Sequence, residues 1–157
     1  MNGPSGPPRR ISSSASMSIG AQRLIGKHRA LFTPPDLTRI FLSGTLTADD
    51  AQAMTAFEQA FVSTSLLIEL GEGAVIDTAV RRHWVSSGTG IAIDRPTVVY
   101  GGSASARASF SLVLTAIDGA LPGERRFPVA IVDSEREALL ELTILRTRLA
   151  RDSIYPR

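Results

Sequence analysis

Leu66-Leu67-Ile68-Glu69-Leu70-Gly71-Glu72-Gly73-Ala74-Val75-Ile76-Asp77-Thr78-Ala79-Val80 is a short apolar run, a Gly-rich turn, and an Asp-Thr pair opening a helically spaced segment. The run is too short for a helix, and a strand that is apolar almost throughout is buried on both faces. Such strands occupy the middle of parallel sheets and are reached through crossover helices. The remaining segments are read around it.

Upstream, Lys27 to Phe32 and Leu37 to Ser43 read as two strands. Thr33-Pro34-Pro35-Asp36 turns the chain between them, because proline fixes φ and lacks a donor. Thr47-Ala48-Asp49-Asp50 has capping-box spacing, with acids where the helix dipole favours them. Ala51, Met54, Phe57 and Phe61 then follow at spacings of three and four, a helix burying one face. Downstream, a second helix runs from about Thr78 to Ser86, with Val80 and Trp84 on its apolar side. Ile91-Ala92-Ile93 reads as a short extended piece, and Thr97 to Tyr100 as a strand by its β-branched and aromatic content. Gly101-Gly102-Ser103 turns into a third helix bearing Ala106, Phe110, Val113 and Ile117. Pro128 to Val132 is the last strand, and Ser134 to Glu137 is a capping box for a helix bearing Ala138, Leu142, Leu145 and Leu149. The expected fold class is α/β: a layered domain with a mixed, mostly parallel sheet of about five strands and four helices. Residues 1–22, rich in Ser, Pro and Gly, read as a disordered tail; 25–150 form the domain, and 151–157 fray.

Residues 30 to 145 hold 8 Lys/Arg and 14 Asp/Glu, whereas the two ends hold 9 Lys/Arg and one acid. An acidic body with scattered basic ends is not the footprint of a nucleic-acid site. No apolar run is long enough for a membrane span, and Met1 to Arg10 lacks a secretory apolar core. With no cysteine in the chain, the expectation is a cytoplasmic protein without disulfides.

The chemical motifs fail one by one. Gly101-Gly102-Ser103-Ala104-Ser105 lacks the last glycine of a nucleophile elbow, and both histidines, His28 and His83, precede Ser103. Gly71-Glu72-Gly73-Ala74-Val75-Ile76 has Ile76 where a dinucleotide fingerprint needs glycine. Two isolated histidines give no metal spacing. The expectation is therefore no catalytic residue, no metal and no cofactor. Asp77 and Thr78 stand out instead, since Thr78 would fall in the first turn of a helix beyond the central strand. Arg81, Arg82, His83 and Trp84 give that helix a basic, aromatic composition suited to an interface. Phe57, Phe61, Phe110 and Leu114 on facing helices are the motive for a second reading, a small apolar ligand held between helices and sheet.

Residues 25 to 150 resemble the STAS domains, named for sulfate transporters and anti-sigma-factor antagonists, and the SpoIIAA-like proteins near them. The resemblance rests on Asp36-Leu37 before Arg39-Ile40-Phe41-Leu42-Ser43-Gly44, Leu46-Thr47 before an acid-started helix, and Leu66-Leu67-Ile68-Glu69-Leu70 leading to Asp77-Thr78. Val98-Val99-Tyr100-Gly101 and Val129 to Ala138 complete it. It implies a non-enzymatic module in bacterial signalling that binds a protein partner, an anti-sigma-factor-like kinase or a sensor complex. It also implies that Thr78 is the phosphoacceptor with Asp77 as its neighbour; the composition of the second helix adds Arg81, Arg82 and Trp84 to the expected partner surface. Ala79 and Val80 depart from the family's small hydroxyl residue and glycine. SpoIIAA-like members that lack the switch imply the alternative, a binder or sensor of a lipid-like ligand.

Overall fold

The computed structural model describes residues 20–61, 63–87, 95–120 and 128–154. Its main sheet has six strands in the order β1-β2-β3-β5-β7-β8. They are β1 (Gln22–Ile25), β2 (His28–Thr33), β3 (Leu37–Leu42), β5 (Ser65–Leu70), β7 (Thr97–Gly101) and β8 (Val129–Val132). Two further strands, β4 (Thr45–Leu46) and β6 (Val75–Ile76), form a small parallel pair of their own. The helices are α1 (Ala48–Gln59), α2 (Thr78–Ser87), α3 (Ala104–Ala120) and α4 (Glu135–Ile154). The α/β class, the mixed and mostly parallel sheet and the four helices agree with the sequence reading.

Among the described residues the main sheet has six strands where about five were expected. β1 pairs antiparallel with β2 through Gly26-Lys27, and Gly26 takes the positive φ of +58° that a two-residue turn needs. Ile25, beyond that turn, is buried. The ordered strand thus begins at Gln22, inside the stretch expected to be disordered, while residues 1–19 lie outside the described part. At the other end α4 continues to Ile154, past the expected end near Arg151. The expected extended piece at Ile91 to Ile93 lies outside the described residues.

From β3 through β5 and β7 to β8 the order advances in one direction with parallel pairing. Right-handed crossovers then place the connecting helices on one face. There, α1, α2 and α3 bury Met54, Phe57, Val80, Phe110, Val113 and Ile117 against Ile40, Leu66, Ile68 and Val99. α4 lies on the opposite face, packing Ala138, Leu142 and Leu145 on Leu67, Val98 and Tyr100. The central strand is buried on both faces as its composition requires: Leu66, Leu67, Ile68 and Leu70 are all in the core.

Both capping boxes form. Thr47 Oγ1 accepts from the Asp50 amide while Asp50 accepts from the Thr47 amide. Ser134 Oγ accepts from the Glu137 amide, and Glu137 accepts from the Ser134 amide. A buried His28 ties the start of α1 to the sheet: its Nδ1 accepts from the Ser43 amide at 3.1 Å, and its Nε2 lies 3.5 Å from Asp50. An Nδ1 that accepts must be unprotonated, which leaves the Nε2 proton to face the carboxylate.

Candidate functional site

The carboxyl ends of β3 and β5 are stitched together before the chain reaches Asp77. The Gly71 amide donates to Leu42 O at 2.7 Å, Gly44 to Glu72 O at 3.1 Å and Val75 to Gly44 O at 3.0 Å. β6 then pairs with β4, and the Asp77 amide donates to Leu46 O at 3.3 Å. Gly44 and Gly73 take positive φ here, and Gly71 is required for a different reason. A Cβ on Gly71 would lie 2.7 Å from Leu42 O, a backbone atom that cannot swing aside. Gly71→Ala is expected to destabilise the fold by about 1–3 kcal/mol. It should also speed hydrogen exchange at the amides of Gly44, Val75 and Asp77; unchanged exchange there would show that the seam tolerates the methyl group.

This seam sets the start of α2. Asp77 caps the helix: its Oδ1 accepts from the Ala79 amide at 3.3 Å and its carbonyl accepts from the Arg81 amide at 3.1 Å. Thr78 is the first helical residue, exposed, and its hydroxyl makes no hydrogen bond among the described residues. The other residues expected at the site divide. Arg82 is exposed beside Thr78. Arg81 turns toward α3, where a terminal nitrogen donates to Ser109 Oγ at 2.9 Å and its Nε is buried without a partner. Trp84 turns inward and packs at a tilt against Phe110, centroids 6.3 Å apart. The expected basic-aromatic face is therefore not one face. Asp77, Thr78 and Arg82 share the surface, whereas Arg81 and Trp84 secure α2 to its neighbours. The reason is geometric: Val80 and Trp84, four residues apart, are the apolar stripe that buries the helix.

Beside this corner, at the carboxyl ends of β5 and β7, lies an open cleft of about 560 Å³. One lip is Gly71 to Val75; the other is Gly102, Ser103, Ser105, Ala106 and Ser109 at the start of α3. Carboxyl ends of parallel strands are the usual ligand position in open α/β sheets. Ser103, however, is occupied as the cap of α3: its Oγ accepts from the Ala106 amide at 3.1 Å and lies 2.9 Å from Ser105 Oγ. Among the described residues lining the cleft there is no histidine, and Glu72 is its one ionisable side chain.

A second space lies inside. About 30 Å³ is enclosed between the sheet and α1, α2 and α3, lined by Ile40, Met54, Glu58, Trp84, Phe110 and Leu114 among others. That is room for about one water molecule. Only Phe110 and Leu114 of the four residues expected to hold an apolar ligand reach it. Phe61 instead stacks on Phe32 at 4.7 Å and meets Phe57 at 4.9 Å, away from this cavity. Glu58 on the cavity wall is paired with Arg95, whose side chain is 5% exposed. Burial pushes the Glu58 carboxyl above its ordinary value, and the Arg95 charge and hydrogen bond only partly offset this.

Comparison of the chain with protein-family models, curated proteins and solved structures finds no match. Among the described residues no group of three metal-ligating side chains comes together and no helix is long and apolar enough to cross a membrane. Sequence reasoning missed the Glu58–Arg95 pair and the contact of Arg81 with Ser109. Each joins residues that local spacing does not relate. The Gly-rich lip was legible, but only as a turn.

Proposed function

We propose that the chain is a non-enzymatic regulatory module of the STAS type that docks a protein partner at the corner formed by Asp77, Thr78 and Arg82. The observation that carries this reading is the exposed, unengaged Thr78 hydroxyl in the first turn of α2, beside the capping Asp77 carboxylate. The resemblance in the order of segments points the same way. A phosphate on Thr78 would meet the positive end of the α2 dipole and the adjacent carboxylate at once. It would change the surface charge more than the fold. The partner in this reading is an anti-sigma-factor-like kinase or a sensor complex in the cytoplasm. Arg81 and Trp84 serve the site by holding α2 in place.

The test is the intact mass of protein purified from its native host, under denaturing and native conditions. The expected result is a phosphate-sized increment that survives denaturation and maps to Thr78. An increment mapping to another residue removes Thr78 from the switch. An increment seen only under native conditions favours the second reading, a small apolar ligand, whose motive is the enclosed space beneath Trp84. That space is far smaller than a lipid tail, so this reading requires Trp84 to swing out.

A further inference from the structure

We infer that the outer edge of β8 and the adjoining flank of α4 form a two-fold junction with a second copy of this chain. β8 pairs with β7 on one side, and among the described residues nothing pairs with the other. Its residues, Val129, Ala130, Ile131 and Val132, carry no charge and are all half-buried. Sheet edges that stay unpaired in solution are usually kept short, bulged, covered or marked by charge or proline, because their free amides and carbonyls template further pairing. β8 is short, as is β1, and the two edges differ in charge. The opposite edge, β1, has such a charge in the exposed Arg23. β8 has none.

The flanks of α4 tell which residues accompany that edge. Glu135 bonds Arg39 on β3, and Arg146 bonds Ser65 and Asp36, so this flank faces the β3 side. Ala138, Leu142 and Leu145 point down onto β5 and β7. Glu141, Ile144 and Arg148, spaced by three and four, therefore line the flank beyond β8. Glu141 and Ile144 are half-buried, Arg148 is exposed, and neither charge has an ion pair among the described residues. The order along the helix is acid, apolar, base.

That order is self-complementary when reversed. An axis normal to the sheet, passing beside Ile144, lays β8 antiparallel to its copy and continues the sheet across the junction. It also places α4 antiparallel to its copy, so that each Glu141 meets Arg148 of the second copy, twice by symmetry, around the two Ile144 side chains. On the other face, the Arg107–Asp133 ion pair marks the flank of α3 that faces β8. Ser111 and Thr115, which follow on that flank, are too short to hold two copies apart. Asp77 and Thr78 remain clear, because α2 joins the opposite flank of α3 through Arg81 and Ser109.

Sedimentation velocity of the full chain tests this directly. The wild type is expected to sediment as two copies at micromolar concentration. Glu141→Arg and Arg148→Glu, each alone, set like charges against each other twice and should weaken self-association about tenfold or more. The Glu141→Arg/Arg148→Glu double variant should recover it, and an equimolar mixture of the two single variants should form a mixed dimer. Recovery separates the junction from misfolding of a single variant, which neither combination would repair. A wild type that stays monomeric, single reversals without effect, or a double variant as weak as the singles would overturn the proposal.

Discussion

Arg95→Leu is expected to destabilise the protein by about 3–5 kcal/mol at neutral pH, because it leaves the Glu58 carboxylate buried without its counter-charge. In thermal unfolding this corresponds to a fall of roughly 10 °C for a chain of this size. Glu58→Leu/Arg95→Leu should return most of the loss, since two apolar side chains of similar bulk need no partner in the cavity wall. The pH dependence follows from the direction of the Glu58 shift. Its carboxyl is already raised in the folded protein, with burial outweighing Arg95. A raised acid contributes stability that is fully present below its unfolded value, near pH 4, and is lost as pH rises through the folded value. Removing Arg95 raises the folded value further and so widens that window. The deficit of Arg95→Leu relative to wild type should therefore be smallest near pH 4 and full at neutral pH, while the double variant shows no such slope. Chemical denaturation at several pH values checks this. A deficit of equal size throughout would mean that Arg95 acts by packing alone.

Thr78→Glu is expected to lower affinity for the docked partner by about tenfold or more while leaving folding stability within about 1 kcal/mol of wild type. The two effects separate because the new carboxylate lies in the first turn of α2, where the helix dipole tolerates it, yet places a second negative charge beside Asp77 on the docking surface. Arg82→Glu should weaken binding in the same sense, since Arg82 is exposed beside Thr78 and is not needed to hold α2. Thr78→Ala should bind like wild type but lose phosphorylation. Arg81→Glu is a poorer probe, because Arg81 is tied to Ser109 and its loss would disturb the α2–α3 contact.

Leu66 to Leu70 announced a strand buried on both faces because no polar residue except Glu69 interrupts it; Glu69 sits at its end and accepts from Tyr100 Oη at 2.8 Å. Burial, more than that bond, raises the Tyr100 phenol to about 12. The caps at Thr47 and Ser134 were legible because they depend on residues three apart. β1 was missed because it is only four residues long, too short for a period to show, although Gly26 followed by Lys27 is a hairpin signal in a two-residue gap. At the site, the position of Asp77 and Thr78 at the start of α2 followed from the strand-loop-helix order. The inward turn of Trp84 followed from its spacing to Val80, but the engagement of Arg81 with Ser109 did not, because it depends on where α3 lies. The pairing of β4 with β6 is likewise a product of tertiary contact: two residues in each strand carry no periodicity to read.

The central claim, a partner docked on the start of α2, is tested most directly by affinity capture from the native host with wild type, Thr78→Glu and Arg82→Glu as parallel baits. Hydrogen exchange of the wild type is then measured with and without the captured protein. The account predicts a protein retained by the wild type and depleted with both variants, and protection confined to the amides around residues 72–82. A retained protein indifferent to both substitutions, or protection that falls elsewhere and leaves α2 unchanged, would contradict it.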